Sequence, residues 1–171
     1  MNRITVLSVV VLLLMLAGCG GSSDETSTAA DHRTTETAPD SATVMRNAVE
    51  RALAENLAVS RRALWTNEVP LSARSSTRGA ALIEMRRSAA ERRRDGVRVR
   101  VVEPRLRIDA IDIDPSYERA TARIVLRDRL RIAARGRRPR VEQADARARV
   151  ELRRVGDEPP HFVVWQVTVA R

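Results

Sequence analysis

Residues 120–127 read Ala120-Thr121-Ala122-Arg123-Ile124-Val125-Leu126-Arg127. Every second residue is apolar, and those between are mostly polar. A side-chain period of two marks a strand with one buried face. Leu130 and Ile132 carry the same phase onward. The pattern recurs on both sides of this stretch. Upstream, Val97, Val99 and Val101 alternate with Arg98 and Arg100, and Leu106, Ile108 and Ala110 alternate with Arg105, Arg107 and Asp109. Downstream, Ala144, Ala146, Ala148, Val150 and Leu152 alternate with Asp145, Arg147, Arg149 and Glu151. Residues 162–169 are nearly all apolar, with Val163, Trp165, Val167 and Val169 on one side. Turn residues punctuate the runs at Asp114-Pro115-Ser116, from Gly136 to Pro139 and from Gly156 to Pro160. Long strands joined by three turns predict a four-stranded antiparallel meander.

The apolar phase slips twice. It is odd through Val101, even from Leu106, and odd again at Ile111 and Ile113. A one-residue slip is what a β-bulge produces, and bulges bend strands. Pro104 at the first slip has no N–H to give a ladder, so the strand is expected to break there or to run along an edge.

Working outward toward the N-terminus, the period changes from two to between three and four. Met45, Val49, Leu53, Leu57, Ser60 and Leu64 form one stripe, flanked by Ala48, Ala52 and Ala63. This spacing predicts an amphipathic helix. Pro39, Asp40 and Ser41 supply its start signals, and residues 67–70 stop it. A second helix carries Leu82, Ile83, Met85 and Ala89, with Ser75, Ser76 and Thr77 as candidate caps. It runs into Arg92-Arg93-Arg94, cations suited to the negative end of a helix dipole, before Asp95-Gly96 ends it. Leu53, Leu57, Leu82 and Trp165 are the expected core. The fold class is therefore α+β: two N-terminal helices packed on a curved four-stranded antiparallel sheet.

The first 43 residues read differently. Met1-Asn2-Arg3 is followed by a run at residues 4–16 that is apolar except for Thr5 and Ser8. Such a run is short for a membrane span and suits the core of an export signal. Leu16-Ala17-Gly18-Cys19 comes next and resembles the lipobox of bacterial lipoproteins. The resemblance implies cleavage before Cys19, lipid on the Cys19 thiol, and anchoring on the extracytoplasmic side of a membrane. That membrane is the outer one if the cell has two, since Gly20 replaces the Asp that commonly retains lipoproteins at an inner membrane. Residues 20–43 are rich in Gly, Ser, Thr, Asp and Ala and cannot bury enough surface to order themselves. As a flexible coil they span about 25–30 Å. The organisation read here is signal 1–18, lipidated Cys19 and linker 19–43, and folded domain 44–171.

Charge divides the chain the same way. Residues 20–43 hold five acids and one Arg, whereas residues 44–171 hold 29 Arg and 17 acids. All 31 basic residues are Arg. Codon bias in a GC-rich genome, which the abundant Ala fits, accounts for that skew more readily than selection for anion binding, but the basic surface attracts anions either way. Cys19 is the only cysteine, so no intrachain disulfide forms.

Helices followed by a long bent sheet resemble the nuclear-transport-factor-2-like, or cystatin-like, superfamily. The order is especially similar to small envelope proteins encoded beside mammalian-cell-entry operons: an N-terminal anchor, a helix, a basic helix ending in Gly (Arg92-Arg93-Arg94-Asp95-Gly96) and a final strand with a Trp (Trp165). The resemblance implies a half-cone whose interior holds a small molecule in some members and is simply packed in others. It implies no activity.

Catalytic sets are thin. His32 lies in the linker. His161 sits beside Pro159-Pro160 at a turn, where a Ser-His-Asp system would need that turn to face a cleft. Asp109, Asp112 and Asp114 lack calcium-loop spacing, so no metal and no cofactor is expected. Isomerases of the superfamily use a carboxylate base in the cone, for which Asp109 or Asp112 with Tyr117 would be the candidates here.

The richer constellation is basic. Arg98, Arg100, Arg105, Arg107, Arg123, Arg127, Arg147 and Arg149 fall opposite the apolar residues of their strands. They are expected to share the sheet face turned away from the helices. Two outcomes are open: an anion-seeking face, or one neutralised by Glu103, Asp109, Asp128, Asp145 and Glu151. Few aromatics interleave the arginines, which argues against nucleic acid. The function expected is a membrane-tethered, non-enzymatic binding or assembly module of the cell envelope. Its partner would be an acidic lipid, glycan or protein. The alternative is a small-molecule-binding or isomerase-like enzyme.

Overall fold

A computed structural model of the chain describes residues 40–156 and 159–170. The export signal, Cys19 and the linker through residue 39, His32 included, lie outside the described residues. Helix α1 spans Ser41–Thr66 and so begins three residues before the expected domain boundary. It buries Ala48, Val49, Ala52, Leu53, Leu57, Ala63 and Leu64, the stripe read from the sequence. Asn67 ends it in the left-handed conformation at φ 58, with its N–H on the Ala63 carbonyl at 3.0 Å. Asn accepts that conformation more readily than most residues.

Ser75 and Ser76 do not cap the next long helix. They belong to a separate turn of helix, α2 (Ala73–Ser76), and α3 (Gly79–Arg94) starts after it with no side-chain cap. The reason lies between the two. Thr77 pairs with Val164 as an isolated bridge, the Arg78 N–H donates to the Val164 carbonyl at 2.9 Å, and the Asn56 amide donates to Thr77 Oγ1 at 2.7 Å. This segment is pinned against the last strand before α3 begins. The buried side of α3 is Ala81, Met85, Ser88, Ala89 and Arg92, whereas Ile83 faces solvent at 68% exposure.

The sheet has five strands, not four: β1 (Val97–Glu103), β2 (Leu106–Ile113), β3 (Arg119–Ala134), β4 (Arg140–Gly156) and β5 (His161–Val169). All named pairings are antiparallel. The extra strand comes from the break at Pro104. Both β1 and β2 pair with β3, β1 along Arg129 to Ala134 and β2 along Ala120 to Leu126, and the order continues to β4 and β5. The two phase slips are register shifts, between Val101 and Glu103 and between Ile108 and Ala110.

A third shift corrects the reading of β5. Glu151 pairs with Gln166 but Leu152 pairs with Val164, so Trp165 is the extra residue of a bulge. Phe162 and Val164 face the core before it, and Val167 and Val169 after it. Trp165 therefore leaves the expected cluster with Leu53, Leu57 and Leu82. It is half-buried, against Gly79 at the start of α3 and beneath the Arg153 guanidinium, 3.9 Å from the ring centre.

The main core lies between α1 and the sheet. Leu53 and Leu57 pack with Ala122, Ile124, Leu126, Val150, Leu152, Phe162 and Val164. A second cluster joins Leu64 to Val99, Leu130, Ile132 and Ala144. Ala at several inward positions removes side-chain bulk and lets the helix approach the strands.

Candidate anion-binding face of the sheet

The side of β3 and β4 away from α1 is built by the odd-numbered residues. Register places Arg123 opposite Arg149, Val125 opposite Arg147, and Arg127 opposite Asp145. On the other flank Arg107 is opposite Val125 and Ala110 is opposite Arg123. Paired residues on adjacent strands share a face about 4.8 Å apart, and successive residues on that face are about 7 Å apart along the strand. Arg107, Arg123, Arg127, Arg147 and Arg149 therefore form an array around Val125. Val125 is half-buried although no helix among the described residues covers this side. It shares with Leu106, Arg105, Arg107 and Arg127 a depression of about 100 Å³. Arginine stems commonly cover apolar surface in this way while their heads stay in water.

Neutralisation of this face is slight. Arg107 pairs with Asp109 at 2.6 Å, and Glu103 pairs with Arg129, outside the eight expected arginines, at 2.8 Å. Among the described residues, Arg98, Arg105, Arg123, Arg127, Arg147 and Arg149 make no ion pair within 4.0 Å, nor do Asp145 and Glu151. Arg100 turns to the rim instead, its guanidinium 5.9 Å from the ring centre of Trp65 at the end of α1. Arg92 is not a surface cation either. It is 6% exposed and donates to Asn67 Oδ1 at 3.3 Å and to the Ala63 carbonyl at 3.4 Å, so it ties α3 to the end of α1. Burial lowers its pKa from the ordinary arginine value.

Asp128, expected among the acids that neutralise the outward arginines, lies on the opposite face. Its even number places it inward, between Leu126 and Leu130 and opposite Ala144, and it is 2% exposed. The carboxylate accepts the Arg105 N–H at 3.0 Å, at the place where Pro104 interrupts the edge strands. Burial pushes its pKa up to about 6, against the opposing pull of the Arg105 hydrogen bond and the Arg61 charge. The Arg61 Nε and Nη2 and the Ser60 hydroxyl, on the facing stretch of α1, are buried without hydrogen-bond partners among the described residues. The signal was available: strict alternation through residues 120–132 already assigned position 128 to the inner face.

The other candidates do not converge. Asp109 is held by Arg107, Asp112 is exposed opposite Thr121, and Tyr117 sits in the tight turn after β2 at φ 58. Asp114 accepts from the Ser116 N–H at 2.8 Å and the Ser116 hydroxyl at 2.9 Å, bonds that lower its pKa. The His161 ring nitrogen lies 2.7 Å from the Ser75 carbonyl, joining β5 to α2. Among the described residues no helix is long and apolar enough to cross a membrane.

No protein-family model matches the chain, and no curated protein matches it. A solved structure does: the crystal structure of the intermembrane space region of the chloroplast protein ARC6 aligns with a TM-score of 0.56 at 14% identity, over 77% of this chain and 97% of that one. At that identity the likeness is one of fold alone.

Proposed function

We propose that this chain is a non-enzymatic binding or assembly module of the cell envelope, tethered by lipid on Cys19 and engaging an anionic partner through its outward sheet face. The sheet is read as the half-cone of the nuclear-transport-factor-2-like class, with its interior packed by α1. One observation carries the reading: five arginines surround Val125, and among the described residues only Arg107 of the five has a carboxylate within ion-pair distance. Like charges on adjacent strands repel, so an anion laid across them relieves a cost already present in the free protein. Guanidinium groups also grip phosphate and carboxylate in two-pronged fashion.

The test is retention of the full chain, in nonionic detergent, on a sulfated-dextran matrix over a salt gradient. Changing Arg123, Arg127, Arg147 and Arg149 together to Gln should bring elution to much lower salt. Changing Arg62, Arg86 and Arg93 on the helices to Gln should have far less effect. Equal shifts would reduce the face to mere net charge and overturn the reading. The tether has its own test: Cys19→Ser should abolish palmitate incorporation.

A second reading, a small-molecule-binding or isomerase-like protein, is favoured by Asp128 alone, an inward carboxylate with a raised pKa. It requires Asp128→Asn to abolish binding or turnover of a small apolar ketone while the fold persists.

A further inference from the structure

The outward face has a shape as well as a charge. The depression of about 100 Å³ has Val125 as its apolar floor and Arg105, Arg107 and Arg127 around it, whereas Leu106, also on its lining, pairs with Leu126 and turns its side chain to the core. Arg147 is in register with Val125 from the β4 side, and the Arg123–Arg149 pair lies two residues further along. A fully hydrated polyanion such as an acidic glycan has no use for an apolar floor. An acidic peptide would be expected to meet backbone donors at a strand edge, yet the centre of this array is β3, paired on both sides. What fits is a ligand that carries a phosphate next to aliphatic carbon. A flat array of such ligands would match arginines repeated in two dimensions across the strands.

We infer that this face binds the headgroup surface of an anionic phospholipid bilayer, with Arg105, Arg107 and Arg127 gripping a phosphate over Val125 and Arg123, Arg147 and Arg149 engaging its neighbours. The inference rests on the anion-binding reading above and narrows it to one partner. It is consistent with the lipid proposed on Cys19, which would hold the domain beside a bilayer. Basic clusters are drawn to anionic lipid over roughly one Debye length, so contact is collective and salt-sensitive. Docked this way, the sheet lies on the membrane and the helices face away from it. Trp65, Leu71 and Ile83, the exposed apolar residues of the helical side, are then left free toward the envelope space.

The experiment is vesicle partitioning of the full chain, whose N-terminal apolar run contributes to binding on any lipid. Vesicles of phosphatidylcholine alone and of phosphatidylcholine with 30% phosphatidylglycerol are compared. The ratio of the two partition coefficients reads the face and cancels the tether. For the wild-type protein this ratio should be about tenfold or more at low salt and near one at high salt. Arg107→Gln with Arg127→Gln and Arg147→Gln should bring it near one at low salt with the melting point preserved. Val125→Asp should do the same without touching an arginine. The helix-side set Arg62→Gln, Arg86→Gln and Arg93→Gln should keep most of the ratio. A wild-type ratio near one at low salt overturns the lipid assignment. If sulfated dextran is still retained through the face in that case, the anion-binding reading stands and the partner is a soluble polyanion. If neither is bound, both fall.

Discussion

Between Ala120 and Ile132 the two faces of β3 are built in strict alternation, yet each contains one residue of the other's kind. Inward, Ala120, Ala122, Ile124, Leu126, Leu130 and Ile132 meet the helices, and Asp128 interrupts them. Outward, Arg119, Arg123, Arg127, Arg129 and Arg131 face solvent, and Val125 interrupts them. The regular residues of each face say which way the strand is turned. The exceptions say where something other than generic burial or solvation is required. Asp128 closes a backbone gap left by Pro104, and Val125 floors the depression among the arginines. A strand's pattern gives its orientation and its breaches locate its special chemistry.

The comparison breaks most severely if the inner face is emptied. Phe162 is 0% exposed and sits where β5 meets the main core. Phe162→Ala should cost about 3–5 kcal/mol, read as a lost or much lowered melting point. Any single outward arginine, changed to Ala, should stay within about 0.5 kcal/mol. Similar costs on the two sides would mean that the faces have been misassigned.

Next in size is the residue that the third bulge takes out of the inward stripe. Trp165 rests on Gly79, where an added Cβ would stand 2.6 Å from the indole and where φ is +56. An L side chain at that φ costs about 1–2 kcal/mol before any clash. Gly79→Ala should therefore destabilise by about 2–3 kcal/mol and shift the Trp fluorescence as the ring is displaced. An unchanged melting point would show that β5 docks on α3 more loosely than this contact requires.

Asp128 gives a smaller effect with a definite sign. Its folded pKa of about 6 exceeds the ordinary carboxylate value of about 3.9. Between those values the folded protein holds more protons than the unfolded one, so this group's contribution falls as pH rises and is fully lost above pH 6. Asp128→Asn keeps an acceptor for the Arg105 N–H and cannot ionise. Relative to wild type, the variant should gain about 1–2 kcal/mol between pH 4 and pH 7 in denaturant titrations. A difference that does not change with pH would mean that Asp128 is better solvated or better paired with Arg61 than its burial implies.

What was legible in the sequence follows from periodicity. The α1 stripe, its stop at Asn67, the antiparallel alternation and the two slips, at Pro104 and beyond Ile108, were all written in the spacing of apolar residues. Three things were not. That β1 and β2 line up along one partner depends on how the chain turns at Pro104, which no residue count specifies. The Trp165 bulge was hidden because residues 162–165 are all apolar, so no phase marks the slip. Arg92 was hidden because a cation in a run of three looks solvated, and only the meeting of two helix ends gives it the Ala63 carbonyl and Asn67. The array around Val125 was half legible: the alternation put the arginines on one side, but which of them stand together is a matter of register between β2, β3 and β4.

The finest test concerns the Arg123–Arg149 pair, which the register places directly opposite each other on adjacent strands. If the outward face were neutralised by its own acids, each arginine would be mildly stabilising and its loss would lower the melting point. If the face lacks anions, the pair repels and its removal helps. Like charges directly opposite each other cost some tenths of a kcal/mol, up to about 1. Arg149→Thr substitutes a good strand former and removes one of the two charges. It should raise stability by about 0.2–0.5 kcal/mol in low-salt buffer. The gain should shrink toward zero in 1 M salt, where the Debye length falls to about 3 Å. Inorganic phosphate should narrow the gap at constant ionic strength, because it stabilises the wild-type face more than the relieved one. A loss of stability in low salt would place Asp145 or Glu151 within working distance of Arg149 in solution, and the outward face would then be a self-neutralised surface.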